Sequence, residues 1–198
     1  MDDPPLTVAE FLRFEAHAEE RHEFLGGRIH AMTGATTRHN LIALNIAFRL
    51  RMLADGGGCR VYMEGVQLRL ADAVVYPDVM VVCAPDGDDE QAASAPCLVV
   101  EVLSPSAAYH DRGHKLELYR ALSSVQAYLI VEQERRAVTR HWRDADGRWQ
   151  TATLAETGAV PLPCPAPGGV LTLDDVYRGL APVEAPPGLR RIHERVAD

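Results

Sequence analysis

Lysine is nearly missing from this chain. Of its 20 basic residues one is lysine, Lys115, and the other 19 are arginines. Alanine- and arginine-rich, lysine-poor usage fits a GC-rich coding background, in which a single retained lysine is a less ordinary event. Long apolar runs are missing too. None approaches the roughly 20 residues of a membrane span, and the acidic start, MDDPPLTVAEF, lacks the basic and apolar regions of a signal peptide. There is no excess of positive charge: the formal net charge of −8 argues against non-specific coating of nucleic acid, which positive charge dominates, although a local basic surface stays open. The four cysteines, 59, 83, 97 and 164, form no CxxC pair, and two sit in strand-like runs. They read as reduced thiols of a cytoplasmic protein.

What is present is ordinary for a globular domain: 198 residues, 47% hydrophobic, 24% charged. That is enough chain for one sizeable core. Thr7 with Glu10 makes a capping box, predicting a helix over 7–18. EFLGGRIHAM reads as two short strands about Gly26-Gly27. Leu41, Leu44, Phe48 and Met52 recur at helical spacing over 37–54, and Gly56 to Gly58 end that helix. Strands are expected in VQLRL, YPDVMVVC, CLVVEVL, QAYLIVE, RAVTRHW and RWQTATL, with a helix over 106–122 between the third and fourth. The acidic APDGDDEQAASAP reads as a loop, the proline- and glycine-rich GAVPLPCPAPGG cannot be regular structure for long, and LTLDDVYRGL reads as a short capped helix. The order predicts an α/β or α+β domain with a central mixed sheet over 1–180, followed by a C-terminal extension over 181–198.

One carboxylate stands out. Glu101 interrupts the apolar run CLVVEVL, and an ionised group there must be paired, metal-bound or at an exposed strand end. Asp78 opens the preceding strand. If the two strands pair antiparallel, the carboxylates meet at one edge of the sheet and repel unless a cation lies between them. Two carboxylates and waters suit Mg²⁺ or Mn²⁺. Lys115 falls on the same helix face as Leu118, Tyr119 and Leu122, with Asp111 one turn earlier. It would point toward the sheet, where an ammonium orients a water or stabilises phosphorane charge. Phosphodiester hydrolysis is the chemistry these groups suggest.

YPDVMVVC, then CLVVEVLSPSAAYHDRGHKLELYRAL, then QAYLIVE, together with RHEFLGGRIHAM and RHNLIALNIAFRL, resemble the Uma-type restriction-endonuclease family of the PD-(D/E)xK nuclease superfamily, over roughly 7–180. The resemblance implies a restriction-endonuclease-like core, a mixed sheet flanked by helices, with Mg²⁺-dependent cleavage of DNA. Carried over by position, Asp78 and Glu101 ligate the metal and Glu23 matches the family's N-terminal acidic residue. Leu103 stands where the superfamily has the lysine of Glu-x-Lys, so Lys115 must supply the amine from the following helix. Cutting both strands of a duplex calls for two sites, hence the expectation of a homodimer.

Plainer readings stand beside these. Glu101 pairs with an arginine; Lys115 lays its stem on the apolar face and leaves its amine in water; Asp111 favours a helix N-terminus; Glu23 is a solvated hairpin residue. His39 matches a histidine often seen in the family, or is a surface or capping residue. His110 and His114, at i and i+4, have a spacing that can bind zinc, but no third ligand stands at a useful spacing and they read as solvent-facing. The arginines of VQLRL and RRAVTRHWR contact phosphates or decorate ordinary strands. Two rival functions follow: a catalytically silent copy of the fold that binds nucleic acid or protein, and a metal-dependent hydrolase of smaller phosphate esters.

Overall fold

Thr7 and Glu10 exchange side-chain and backbone hydrogen bonds and start helix α1 (Val8–Glu15). In the computed structural model, residues 6–32, 34–56, 58–85, 89–103, 111–165 and 168–181 are described, without the side chains of 111 and 112. The chain runs on through strands β1 (His22–Leu25) and β2 (Arg28–Ala31), helix α2 (Thr37–Leu53), and strands β3 (Arg60–Met63), β4 (Gln67–Arg69), β5 (Val74–Val75), β6 (Val79–Val82), β7 (Ala92–Ala93) and β8 (Leu98–Leu103). Helix α3 (Asp111–Ala121), β9 (Ala127–Glu132), β10 (Ala137–Arg143), β11 (Trp149–Ala155), β12 (Ala159–Pro161), β13 (Val170–Thr172) and α4 (Leu173–Val176) complete it.

The central sheet has the order β11-β10-β9-β8-β6-β3. β8 and β9 are parallel, and the other neighbours are antiparallel, so the sheet is mixed as expected. A parallel pair needs a crossover, and the segment carrying α3 is that crossover. β8 is buried at every position, which explains its unbroken apolar run. Alternation then divides its side chains. Leu98, Val100 and Val102 pack with Val79, Val81 and the inner face of α2, while Val99 and Leu103 pack with Met80, Val82, Tyr128 and Tyr119 of α3. A second sheet, β2-β1-β5-β4-β7, and the hairpin β12-β13 accompany it.

The structure changes several expectations. Helix α2 buries Ile42, Ala43, Ile46, Ala47 and Leu50, whereas Leu41, Leu44, Phe48 and Met52 face outward, Phe48 at 65% exposure. The expected loop 84–96 contains β7, which pairs parallel with β4. In VQLRL, whose alternation sets Gln67 and Arg69 against the apolar Val66, Leu68 and Leu70, Gln67 is buried all the same and donates to the Tyr76 hydroxyl. Most plainly, the cysteines are not reduced thiols: Cys59–Cys83 and Cys97–Cys164 are disulfides. Strand register, which cysteine spacing does not reveal, brings them together. Residues 104–110 and 182–198, with the expected helix start, His110 and nearly all of the C-terminal extension, lie outside the described residues. No helix among the described residues is long and apolar enough to cross a membrane.

Candidate active site

Three adjacent strands end in one row of acids. Met63 of β3 pairs with Val79 of β6, so one step further along that register Glu64 faces Asp78. Val79 pairs with Val100 of β8, so Asp78 in turn faces Glu101. The antiparallel pairing of the two strands is thus the one that was needed. Asp78 Oδ2 accepts the backbone N–H of Val102 at 2.6 Å, which fixes its carboxylate across the end of β8.

Helix α2 enters the row from one side. Its N-cap, Thr36, accepts the His39 N–H and donates to Gln133, whose amide in turn donates to the Leu103 carbonyl. These bonds tie the first turn of α2 to the ends of β8 and β9 and bury His39. His39 Nε2 lies 3.2 Å from Asp78 Oδ2, and its Nδ1 lies 3.8 Å from Glu64 Oε1. That Nδ1 is buried without a hydrogen-bond partner among the described residues. Burial pushes the imidazole pKa down, but Asp78 and Glu64 outweigh it and the net shift is upward.

Lys115 enters from α3. It is 5% exposed, with Nζ 3.0 Å from Glu23 Oε1 and 3.2 Å from Glu101 Oε1. A solvated amine on a snorkelling stem is therefore not what this lysine has, and Glu101 is held by the lysine and not by an arginine. Glu23 is buried as well, its Oε1 also accepting the Tyr76 N–H, which overturns the solvated-hairpin reading. Tyr119, one turn after Lys115, donates its hydroxyl to Glu101 Oε1 at 2.7 Å. One ammonium thus serves two buried carboxylates, with Asp78 adding a third negative charge. Burial, and after it Asp78 and Glu23, outweigh Lys115 and Tyr119 and push the Glu101 pKa up to about 8. Burial and Glu101 raise Tyr119 well above its ordinary value.

The donor set fits a divalent cation. Ligand atoms of His39, Glu64 and Asp78 all lie within 4.8 Å of one another, close to the spacing of donors around one ion held at about 2.1 Å. The surplus of carboxylates over ammonium is charge that such an ion would offset. Sequence reasoning missed Glu64 and Tyr119. Glu64 sits in an unremarkable MEG turn and is legible only once the β3–β6 register is known; Tyr119 carried a signal, its place on the Lys115 face. The side chain of Asp111, one turn before Lys115, lies outside the described residues. His114 is exposed. The strand arginines have structural partners: Arg69 bonds Asp89, Arg136 bonds Asp174, and Arg140 and Arg143 stack on Trp142 and Trp149.

Comparison with known proteins adds a family. Residues 8–174 match the Uma2 family model, whose description is "Putative restriction endonuclease". Among curated relatives, the uncharacterized protein slr1290 of Synechocystis sp. is 33% identical over 181 residues, covering 90% of this chain and 94% of that one. A second Synechocystis protein, sll1609, is 32% identical over 154 residues, covering 75% and 87%. In three dimensions the chain is similar to a crystal structure from Anabaena variabilis titled "a putative nuclease belonging to DUF820", with a TM-score of 0.67 and 20% identity over 87% of this chain and 98% of that one. That likeness establishes the fold.

Proposed function

This chain belongs to the Uma2 family, and on that premise we propose that it is a divalent-metal-dependent endonuclease hydrolysing DNA phosphodiester bonds. The observation that carries the reading is Lys115, buried between Glu23 and Glu101 at the end of the strand row that holds Asp78. An ammonium in such a place is costly unless the carboxylates need it. A cofactor ion at Asp78, with His39 and Glu64 beside it and Glu101 next along the row, supplies Lewis-acid stabilisation of a phosphate oxygen and a lowered pKa for water. Mg²⁺ suits the carboxylates; the imidazole of His39 moves the preference toward Mn²⁺.

The chain's own residues do the positioning. Val102 N–H holds the Asp78 carboxylate, and Gln133 and Thr36 fix the turn that carries His39. Tyr119 and Lys115 hold Glu101 Oε1, while Glu23 keeps the ammonium over the row. A fixed positive charge there favours the extra negative charge of a phosphorane over that of the starting diester. Two protomers related by a two-fold axis would present one site to each strand.

Supercoiled plasmid incubated with the protein and Mg²⁺ or Mn²⁺ should be nicked and linearised, chelator should stop it, and Asp78→Asn should abolish it. Metal uptake without turnover of plasmid, but with turnover of small phosphate esters, would move the reading to the smaller substrates. Retained DNA binding with neither activity would make the chain a silent binding module, which the acidic net charge and Leu103 keep in view.

A further inference from the structure

All four cysteines converge at the other end of the same strands. Cys59 precedes β3, Cys83 follows β6 and Cys97 precedes β8, while Cys164 comes from the segment between β12 and β13. The five residues from Asp78 to Cys83 put the two ends about 16 Å apart at strand rise. The cysteines form two disulfides, yet the pairs are not separate: Cys83 Sγ lies 3.6 Å from Cys97 Sγ, and the sulfurs of Cys83, Cys97 and Cys164 are all within 4.8 Å of one another. Three of the four sulfurs share one point and Cys59 joins it through its bond to Cys83, which two disulfides that only staple the fold have no reason to do. Four thiolates about one Zn²⁺ have such a reason, since a tetrahedral ion with sulfur at about 2.3 Å spaces its ligands about 3.8 Å apart.

We propose that the reduced chain binds one Zn²⁺ through Cys59, Cys83, Cys97 and Cys164, a closed structural site distinct from the acidic row. Each ligand is carried on a strand end or on a segment packed against the central core, so the donors are held without the ion. Cys83 is exposed and Cys164 buried, giving the site an open side and a floor. Arg60 donates to the Ala84 carbonyl and the Tyr62 hydroxyl, placing a cation beside the Cys83 segment, which favours thiolates and offsets the dianionic centre. The conversion balances simply. A water-soluble phosphine and one water per disulfide give phosphine oxide and two thiols. Zn²⁺ then replaces four thiol protons to leave the tetrathiolate.

The test uses the full chain. Reduced anaerobically with phosphine and titrated with Co²⁺, it should develop a thiolate-to-cobalt charge-transfer band and the visible spectrum of tetrahedral Co²⁺, saturating at one ion per chain and reversed by Zn²⁺. The oxidised chain should develop neither. Oxygen and imidazole donors give no such charge-transfer band, so the acidic row does not imitate this result, and failure here leaves the nuclease reading untouched. Cys83→Ser and Cys164→Ser should each weaken Zn²⁺ binding by more than the roughly 10- to 100-fold that loss of an outer partner costs. A reduced wild-type chain without the charge-transfer band overturns the site, whether it stays folded or unfolds. So does a band that both serine variants retain at full strength.

Discussion

Lys115 Nζ stands 3.2 Å from Glu101 Oε1, both groups under a tenth exposed, and the same ammonium also serves Glu23. Removing the lysine takes the one shared cation from two buried acids. Lys115→Ala should therefore cost about 3 kcal/mol at neutral pH, the low end for breaking a buried pair, because Glu101, its pKa pushed up to about 8, already holds most of a proton and Glu23 is the carboxylate left without its cation. Cleavage should fall by roughly 10²- to 10³-fold, the usual worth of an electrostatic or acid–base group. Lys115→Arg should recover stability better than rate, since a guanidinium keeps the charge but does not fit the same two oxygens. Denaturant unfolding and plasmid nicking, run in parallel, check both numbers; unchanged nicking by Lys115→Ala would remove this residue from the chemistry.

The same cluster sets a pH dependence. Glu101 titrates near 8 in the folded chain against an ordinary 4.5. Between those values the folded state holds a proton that the unfolded state has released, so stability falls as pH rises, by at most about 1.4 kcal/mol per unit. His39, raised above its ordinary 6.5, acts in the same direction: its contribution is present at low pH and lost as pH rises through its folded pKa. Metal-free wild type should match Glu101→Gln near pH 5 and lose ground to it steadily toward pH 8, as melting temperatures would reveal. Saturating Mn²⁺ should flatten that slope, because it stabilises the ionised carboxylate. A wild-type-minus-variant gap constant from pH 5 to 8 would mean that Glu101 is ionised throughout.

Which residues hold the ion is separable from whether one binds. Mn²⁺ at about 100 times its dissociation constant should stabilise the wild type by roughly 2.7 kcal/mol. His39→Ala should lose most of that gain, because the imidazole contacts Asp78 and its buried Nδ1 has no hydrogen-bond partner among the described residues. Asp78→Asn should lose it too while remaining stable without metal, since the amide still accepts the Val102 N–H and removes one repelling charge. Isothermal titration of the three proteins decides. A His39→Ala protein with wild-type Mn²⁺ affinity would restrict the ligands to carboxylates.

Much of this site was legible in the chain, for identifiable reasons. Asp78 opens a strand after Tyr76-Pro77, Glu101 breaks an apolar run, and Lys115 sits on an apolar helix stripe; each is a local contradiction of pattern that invites a functional explanation. Glu64 contradicts nothing locally, and only long-range register places it beside Asp78. The cysteines failed for the same reason: Cys59 and Cys83 are 24 residues apart and Cys97 and Cys164 are 67 apart, and strand pairing closes both gaps. Helix α2 misled in another way. Its period was read from Leu41, Leu44, Phe48 and Met52, while the small and branched residues Ala43, Ala47, Ile42 and Ile46 pack against the sheet, because apolar side chains occupy both faces and periodicity alone does not say which is inner.

DNA affinity should be low and electrostatic. With a net charge of −8, and with Arg69 and Arg136 paired to acids, the chain lacks the excess of positive charge that extensive phosphate contact needs. Binding measured by fluorescence anisotropy should weaken as salt rises, with a shallow slope reflecting few contacts. Mn²⁺ should strengthen it by covering the acidic row. Tight binding indifferent to salt would require a surface other than this one.

Leu103 poses the last test. It lies two residues beyond Glu101 on the same strand face, where the superfamily's Glu-x-Lys pattern carries its amine, but here it packs with Tyr119, Tyr128 and Ile130 at 5% exposure. Leu103→Lys alone should destabilise by several kcal/mol, because an ammonium replaces an apolar side chain while Lys115 already satisfies the carboxylates. In the Lys115→Ala background the same change should cost less than it does in the wild type, since Glu101 and Glu23 then lack a cation. A double-mutant cycle should show a favourable coupling of at least about 1 kcal/mol between the two positions. Part of the lost cleavage should return with it. Additive stability changes and no recovered nicking would mean that position 103 does not reach the acidic row, and that in this chain the amine is supplied from the helix alone.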